Sequence, residues 1–162
     1  MNAFTGATGE GKDQTDGETR SYPEIARRYA EAGISWCAIG DENYGEGSSR
    51  EHAAMEPRFR NAKVIFARSF ARIHETNLKK QGLVPLTFAD PGTYDLIEED
   101  DRINVLGLAS LTPDVPVTCQ IVKPDGTTID FLGNQTFSDE QIEWFRAGSA
   151  LNIVKQRVAA GG

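Results

Sequence analysis

The sequence predicts a mixed α/β domain in which parallel βα units come first and antiparallel strands follow. Three observations support this prediction. Over residues 22–88, short apolar runs alternate with segments of helical periodicity, which is typical of strands joined by helical crossovers. Two strand-like runs then flank a Pro-Asp-Gly turn, as in a β-hairpin. A long amphipathic segment closes the chain.

The size and charge of the chain exclude several classes of protein. With 162 residues, the chain has the length of one ordinary domain. Its net charge of −7 argues against general nucleic-acid binding, because phosphate contacts require clustered lysines and arginines. No apolar run is long enough to span a membrane, and no targeting segment is recognisable. We therefore expect a cytoplasmic protein with neither nucleic acid nor membrane as a partner.

The first 20 residues differ in composition from the rest. They are rich in Gly, Thr, Asp and Glu, with Phe4 as their one large apolar side chain after the start methionine. Such a composition cannot bury much apolar surface, and it predicts a flexible lead-in. We expect a single domain over residues 21–160.

Helical periodicity predicts four helices. They span residues 22–32, 49–56, 69–81 and 138–158. Ser21, Ser48 and Ser138 each precede a Glu or Gln by three residues, which is the capping-box pattern. Pro57 should end the second helix, and Gly148 is a weak point in the last one. The last helix should bury Ile142, Phe145, Leu151, Val154 and Val158.

Apolar or alternating runs predict six strands. They span residues 35–40, 64–67, 84–88, 102–108, 117–122 and 127–132. The runs at 64–67 and 84–88 are short and apolar, which favours strands buried on both faces of a sheet. Cys37 lies inside the first strand, and we interpret it as a small core residue.

Residues 40–52 form the candidate site, between a buried strand and a helix N-terminus. A helix N-terminus offers unpaired backbone N–H groups to an anion. Gly45 and Gly47 allow the backbone to approach a ligand closely. Arg50 adds a planar donor group that suits a carboxylate. We therefore expect a small acidic molecule to bind here.

Four blocks of sequence carry a family resemblance. They are GDENYGEGSSREHAA at 40–54, SFARIHETNLKKQG at 69–82, PLTFADP at 85–91 and QIEWFRAGSALN at 141–152. These blocks resemble the C-terminal swivel domain of aconitase of the mitochondrial type. The resemblance implies a swivel-like α/β domain with a mixed parallel/antiparallel sheet, or an open barrel, and flanking helices. Residues 59–61 and 37–38 depart from the family's pattern.

The resemblance also implies a chemistry. Aconitases interconvert citrate and isocitrate by removing and re-adding water. In that family the first serine of the Ser-Ser-Arg motif is the base, which is Ser48 here, and Ser49 and Arg50 match the residues that hold substrate carboxylates. The family's iron–sulfur cluster and its cysteine ligands come from preceding domains, which this sequence lacks. We therefore expect no cofactor and no metal ion on this chain.

Several residues are candidates for function. The candidate catalytic residues are Ser48, His52 and His74, and the candidate substrate-binding residues are Ser49, Arg50, Gly47, Asp41 and Arg72. Structural alternatives stay open for them. Ser48 is also a plausible N-cap, and each histidine could be a hydrogen-bonded structural residue. Arg72 could form an ion pair with Glu75 or Asp41.

Three functions compete at this stage. The first is a stand-alone, cluster-free lyase or isomerase acting on a small carboxylic acid. The second is a detached swivel domain that needs a separate cluster-bearing chain. The third is a carboxylate-binding module without catalysis. A domain without its neighbours exposes surfaces that they would cover, so we also expect self-association, as a homodimer.

Overall fold

The computed structural model describes residues 1–47 and 51–160 of the chain. The helices are α1 Tyr22–Glu31, α2 His52–Phe59, α3 Arg72–Lys80, α4 Asp139–Ala147 and α5 Ala150–Ala160. The strands are β1 Glu10–Lys12, β2 Thr19–Ser21, β3 Trp36–Gly40, β4 Ala62–Ala67, β5 Val84–Phe88, β6 Arg102–Val105, β7 Val117–Val122 and β8 Thr128–Asn134. Two short 3₁₀ segments span Pro91–Leu96 and Leu108–Ser110.

Six strands form one mixed sheet in the order β3-β4-β5-β8-β7-β6. The first three run parallel, and β8, β7 and β6 pair antiparallel. The two halves meet where Thr87 and Phe88 of β5 pair with Asn134 and Gly133 of β8. Parallel βα units followed by an antiparallel meander were predicted from the sequence, and the mixed α/β fold is confirmed.

Strand β4 separates two hydrophobic clusters. Because successive side chains of a strand point to opposite faces, Phe66 enters the larger cluster and Ile65 the smaller one. Ala54 of α2 and Leu78 of α3 cover the smaller cluster, and both are fully buried. Burial of β4 on both faces is therefore confirmed. It fixes the carboxyl end of this strand, which borders the candidate site.

The predicted last helix over residues 138–158 is wrong, because the chain forms two helices there. Helix α4 begins with the predicted capping box of Ser138 and Gln141, and it ends at Gly148, whose φ is +87°. The backbone of Gly148 lies so close to Gly82 that a side chain at Gly82 would overlap its carbonyl oxygen. The turn redirects the chain, so the apolar face of α4 does not continue into the next helix. The expected burial of three α5 residues is therefore also wrong, since these side chains are exposed: Leu151, Val154 and Val158.

Two predicted helix boundaries and one predicted side-chain cap also differ. Helix α2 passes through Pro57 because the Arg60 N–H still donates to the Glu56 carbonyl, at 3.1 Å, and completes the last turn. Ser21 stands at the N-cap of α1, but its side chain makes no capping hydrogen bond. Helix α3 begins at Arg72 rather than at residue 69, because the preceding residues pair with the loop that follows β3.

The N-terminal segment contains regular structure that the sequence analysis did not predict. Strands β1 and β2 pair antiparallel, in a segment where we expected a flexible lead-in. The carboxylate of Asp13, in the connection between them, is fully buried and forms ion pairs with Arg20 and Arg28. A buried ion-pair cluster, rather than an alternating apolar pattern, holds this segment. Among residues 1–47 and 51–160, no helix is both long and apolar enough to cross a membrane.

Candidate functional site

The candidate site lies at the carboxyl ends of the parallel strands. Residues 41–47, which we call the Gly45 turn, follow β3 and lead toward α2. Ligands of open α/β sheets bind outside this edge of the sheet. Three of the predicted site residues, Ser48, Ser49 and Arg50, lie outside the residues that the structure describes. The described structure therefore defines the scaffold on both sides of the Ser-Ser-Arg motif.

Backbone hydrogen bonds tie the Gly45 turn to the segment before α3. The Tyr44 N–H donates to the Ser69 carbonyl at 2.9 Å, and the Ala71 N–H donates to the Tyr44 carbonyl at 3.0 Å. The Asn43 N–H donates to the Ser69 hydroxyl at 2.8 Å. Together these bonds add one residue of strand-like pairing, between Tyr44 and Phe70. The turn is therefore held at a defined place relative to α3.

Aromatic packing closes the inner side of the turn. The Tyr44 ring contacts Phe70 edge to face, with 5.9 Å between the ring centroids. The same ring lies 5.6 Å from the imidazole of His74. A side chain at Gly40 would overlap the Tyr44 ring, so this position requires glycine. Burial raises the pKa of the Tyr44 phenol.

Arg68 forms a second connection to the turn. It follows β4 directly, as Asp41 follows β3, so the two side chains meet at the same edge of the sheet. Arg68 Nε lies 3.4 Å from the Asp41 carboxylate, and Arg68 Nη2 lies 2.8 Å from the Asp95 carboxylate. The guanidinium also lies 4.5 Å from the centroid of the Tyr94 ring. Asp41, which we expected to bind substrate, is thus in contact with a cation of its own chain.

The other predicted site residues lie around the turn at different depths. Gly47 is exposed, and a side chain there would meet open space. His52 is exposed at the first residue of α2, and Arg72 is exposed at the first residue of α3. His74 is buried and only 5% exposed. The two carboxylates considered as ion-pair partners of Arg72 have other partners in the described structure, since Asp41 pairs with Arg68 and Glu75 pairs with Lys79.

The sequence analysis did not single out Tyr44, Arg68 or Ser69, although all three shape the site. A signal for Tyr44 was present, since it lies in a turn between Gly40 and Gly45, and a packed ring needs neighbours without side chains. No comparable signal marks Arg68, because its partners lie 27 residues away along the chain.

The two cysteines lie in or against the larger hydrophobic cluster. Burial raises the pKa of the Cys37 thiol to about 11 and that of the Cys119 thiol to about 12. Cys37 packs against the larger hydrophobic cluster, and Cys119 is fully buried within it. Both are therefore residues of the core.

Two surface cavities lie away from the Gly45 turn. One, of about 320 Å³, is lined mainly by residues of the β1–β2 region, including Lys12 and Thr19. The other, of about 390 Å³, lies beside the start of α1 and includes Arg27 and Arg60. Neither is lined by residues that the sequence analysis singled out for function.

Sequence comparison supports the resemblance described above. The profile of the aconitase C-terminal domain matches residues 2–91. Mitochondrial aconitate hydratase of Gracilaria gracilis is 54% identical over 155 residues, which are 96% of this chain and 20% of that protein. Mitochondrial aconitate hydratase of Saccharomyces cerevisiae is 57% identical over 144 residues, which are 89% of this chain and 18% of that protein. The chain thus spans about a fifth of the length of these relatives.

A solved structure is similar in fold. The crystal structure of a 3-isopropylmalate dehydratase from Methanocaldococcus jannaschii has a TM-score of 0.54 and 24% sequence identity to this chain. The similarity covers 77% of this chain and 66% of that one. At this level of identity the comparison concerns the fold alone, and it supports the predicted swivel-like domain.

The comparisons correct one expectation. We expected a cytoplasmic protein, but the relatives from Gracilaria gracilis, Caenorhabditis elegans and Saccharomyces cerevisiae are mitochondrial by name. The expectation was wrong because it depended on the lack of a targeting segment. Such a lack is uninformative in a chain that spans about a fifth of its relatives.

Proposed function

Because this chain belongs to the aconitase C-terminal domain family, we propose that it supplies the carboxylate-binding loop of a hydro-lyase active site. The observation that carries this proposal is the Gly45 turn. The turn leaves the carboxyl end of a parallel strand, is tied to α3 by backbone bonds, and leads directly into Ser48-Ser49-Arg50. The substrate class is a small acid with more than one carboxylate.

The Ser-Ser-Arg motif carries the chemistry in this proposal. Ser48 takes a proton from the substrate carbon, while Ser49 and Arg50 hold substrate carboxylates. A serine hydroxyl acts as a base only where cations and N–H dipoles stabilise its alkoxide, and Arg50 is the adjacent cation. The N–H of Gly47 is a further donor. Asp41 acts on this side of the site by holding Arg68 beside the turn.

His52 and Arg72 have supporting roles in the proposal. Both are exposed at the first residue of a helix next to the turn. His52 is the one exposed histidine of the described chain, and an exposed imidazole beside a substrate is suited to general acid–base catalysis. Arg72 adds positive charge that favours an acidic substrate.

The remaining part of the active site comes from outside this chain. We assign the iron–sulfur cluster to the rest of a longer protein or to a separate cluster-bearing chain. The length of the relatives supports this assignment, since the chain matches about a fifth of each. The number of cysteines supports it too, because two core cysteines are too few for the cysteine set that holds a cluster. The names of the relatives support a mitochondrial location.

A second candidate is cluster-free lyase or isomerase chemistry by this chain alone. One observation favours it: contacts from Ser69, His74 and Arg68 of this chain hold the Gly45 turn in a defined position. A binding module without catalysis would use the same scaffold. The three possibilities differ in whether turnover occurs and in whether it requires a cluster.

A chimera distinguishes these possibilities. This chain replaces the matching segment of the Saccharomyces cerevisiae relative, and citrate–isocitrate interconversion is measured for the chimera and for this chain alone. We expect an active chimera and an inactive isolated chain. Ser48→Ala in the chimera should lower the rate by about 10²–10⁴-fold, the range of general acid–base catalysis. The control is Arg27→Ala, on the exposed side of α1, which should leave the rate unchanged.

Each other result has a defined meaning. Turnover by the isolated chain, lost in Ser48→Ala, would select cluster-free catalysis. A chimera that contains its cluster, seen by absorption, and is still inactive would contradict the proposal. Equal rates for Ser48→Ala and Arg27→Ala would remove Ser48 from the mechanism.

A further inference from the structure

His74 is a buried titratable group whose position the proposed mechanism does not explain. Its side chain is 5% exposed, and Nδ1 is a buried atom without a hydrogen-bond partner in the described structure. A buried polar atom without a partner costs free energy, so such an atom calls for an explanation. The contacts of the imidazole with neighbouring residues account for its buried position.

The His74 imidazole packs directly against the Gly45 turn. Gly45 has a φ of +90°, and a side chain there would overlap the ring and Cβ of His74. Tyr44 packs against the same imidazole, with 5.6 Å between the ring centroids. His74 thus contacts two adjacent residues at the centre of the turn. Movement of the imidazole cannot leave their positions unchanged.

The surroundings favour the neutral form of this imidazole. Burial lowers the pKa of His74, and no described charge opposes that effect. The titratable group facing it from the turn is the Tyr44 phenol, which burial keeps neutral. Along α3, Glu75 pairs with Lys79, and Arg72 is exposed. From α2, α4, α5 and β5, no described charged side chain acts on the pKa of His74.

We propose that the neutral imidazole of His74 holds the Gly45 turn in place. Protonation of His74 releases the turn and weakens carboxylate binding at acid pH. His74 is then a positioning residue, which acts through Tyr44 and Gly45 and does not touch the substrate. The part that concerns binding rests on the proposed function. The part that concerns release of the turn does not.

The direction of the pH dependence follows from linkage. With the turn released, the imidazole has its ordinary pKa of 6.5, and with the turn docked its pKa is lower. The released state therefore binds the proton more tightly. Docking is independent of pH well above 6.5, and it weakens by up to about tenfold per pH unit below that value. The weakening ends once the lowered pKa of the docked state is passed.

Nuclear magnetic resonance of the whole chain tests release of the turn directly. The chain has two histidines, so only the resonances of exposed His52 have to be distinguished from those of His74. Between pH 8 and pH 5, we expect the titration midpoint of His74 to lie below the ordinary imidazole value of 6.5. The Tyr44 and Ala71 amides, which bond across to residues 69 and 44, should lose protection from exchange in the same pH range. Titration of His74 with unchanged protection at both amides would overturn the proposal.

Two variants give a second test. His74→Phe keeps a ring under the turn but cannot be protonated, so protection at Tyr44 should become independent of pH over this range. Gly45→Ala should release the turn at every pH, because its Cβ would overlap the imidazole. Equal pH profiles for His74→Phe and the wild-type chain would contradict the proposal.

Calorimetric measurement of citrate binding tests whether protonation of His74 affects binding at the site. The ratio of the wild-type to the His74→Phe dissociation constant removes the titration of citrate itself. We expect this ratio to rise up to about tenfold per pH unit below 6.5. A constant ratio would overturn the link between His74 and binding. If citrate binds neither protein at any pH, the proposed function fails, whereas the amide protection still decides whether His74 holds the turn.

Discussion

The polar N-terminal segment and the apolar last helix both differ in burial from what their compositions predict, and in opposite directions. Residues 1–21 contain few large apolar side chains, yet they include a strand pair with a fully buried carboxylate. Helix α5 carries an apolar face, yet Leu151, Val154 and Val158 are 62%, 55% and 72% exposed. The comparison shows that in this chain burial depends on where an element lies, and not only on its hydrophobicity.

Charge anchors the N-terminal segment. Asp13 accepts hydrogen bonds from the Thr15 N–H and hydroxyl, at 2.9 and 2.6 Å. It also accepts from Arg28 Nε at 2.7 Å and from Arg20 at 3.1 Å. The Gln14 N–H donates to the Tyr29 hydroxyl at 2.8 Å, which joins the segment to α1. A buried carboxylate with all these donors fixes a segment that has little apolar area.

The position of α5 follows from the turn that precedes it. Gly148 ends α4, and the Ser149 hydroxyl accepts from the Asn152 N–H at 3.2 Å at the start of α5. Asn152 Nδ2 donates back to the Ala147 carbonyl at 2.8 Å. These bonds, rather than packing of its apolar face, determine the direction of α5. In the described chain, that face lacks the cover that the face of α4 has.

The largest expected effect is a difference in stability cost between core truncation in α4 and the matching truncation in α5. Ile142 of α4 is 3% exposed, and Ile142→Ala should lower the free energy of unfolding by about 2–5 kcal/mol, as for other core truncations. Val154→Ala, the matched change in α5, should cost less than about 0.5 kcal/mol. Urea denaturation measures both. Similar costs for the two variants would mean that α5 packs on the domain.

The next effect concerns the buried carboxylate. Asp13→Asn removes the ion pairs with Arg20 and Arg28, so residues 1–21 should open more often. Proteolysis tracks the opened population, and we expect cleavage there to become faster by on the order of tenfold. Asp16→Asn is the control, since Asp16 pairs with the same arginines but is partly exposed, and its effect should be smaller. Cleavage that is equally fast in both variants would contradict the role of burial.

The same carboxylate predicts a pH dependence. Hydrogen bonds from the Thr15 hydroxyl, and then from the Thr15 N–H and Arg28, hold the pKa of Asp13 below its ordinary value of 3.8. The carboxylate therefore contributes its full stability above that value, and the contribution is lost as the pH falls below it. In the wild-type chain, the N-terminal segment should open in acid below pH 3.8, and in Asp13→Asn this transition should be smaller, because Asp16, whose pKa is also lowered by its hydrogen bond from Arg20, still titrates there. Hydrogen exchange of the β1 and β2 amides measures it.

The smallest effect concerns an exposed charge in the same segment. Lys12 Nζ lies 2.5 Å from the Asp100 carboxylate, and both side chains are partly exposed. Because hydration offsets most of the attraction in such pairs, Lys12→Met should not measurably change the midpoint of urea denaturation. A clearly lowered midpoint would mean that surface charge, and not only the buried carboxylate, anchors the segment.

Sequence periodicity predicted most of the sheet. Strands β3, β4, β5 and β7 lie within about two residues of the predicted runs, because each is apolar or alternating and is bounded by turn residues. The capping box of α4 was also predicted, since Ser138 and Gln141 act over one turn. Strands β1 and β2 were not predicted, because their stability depends on contacts with Arg28 rather than on a local pattern. Gly148 was predicted as a weak point of the last helix, but the resulting exposure of the apolar face of α5 was not predicted.

The candidate site was predicted in part, for a similar reason. The glycines and the Ser-Ser-Arg motif are adjacent in sequence, so the loop could be found from the residues alone. The contacts that hold it, from Ser69, Arg68 and His74, cross more than 20 residues, and no spacing rule encodes them. Whether the motif binds and transforms a carboxylic acid stays a prediction.

Calorimetric titration of the whole chain with citrate tests the central claim most directly. Hydrogen bonds to charged groups are worth about 1.5–3 kcal/mol, so Arg50→Ala should weaken citrate binding by about 10- to 100-fold. Arg27→Ala, on α1 and away from the Gly45 turn, should leave the dissociation constant unchanged. Equal dissociation constants for wild type and Arg50→Ala would contradict carboxylate binding at the Ser-Ser-Arg motif.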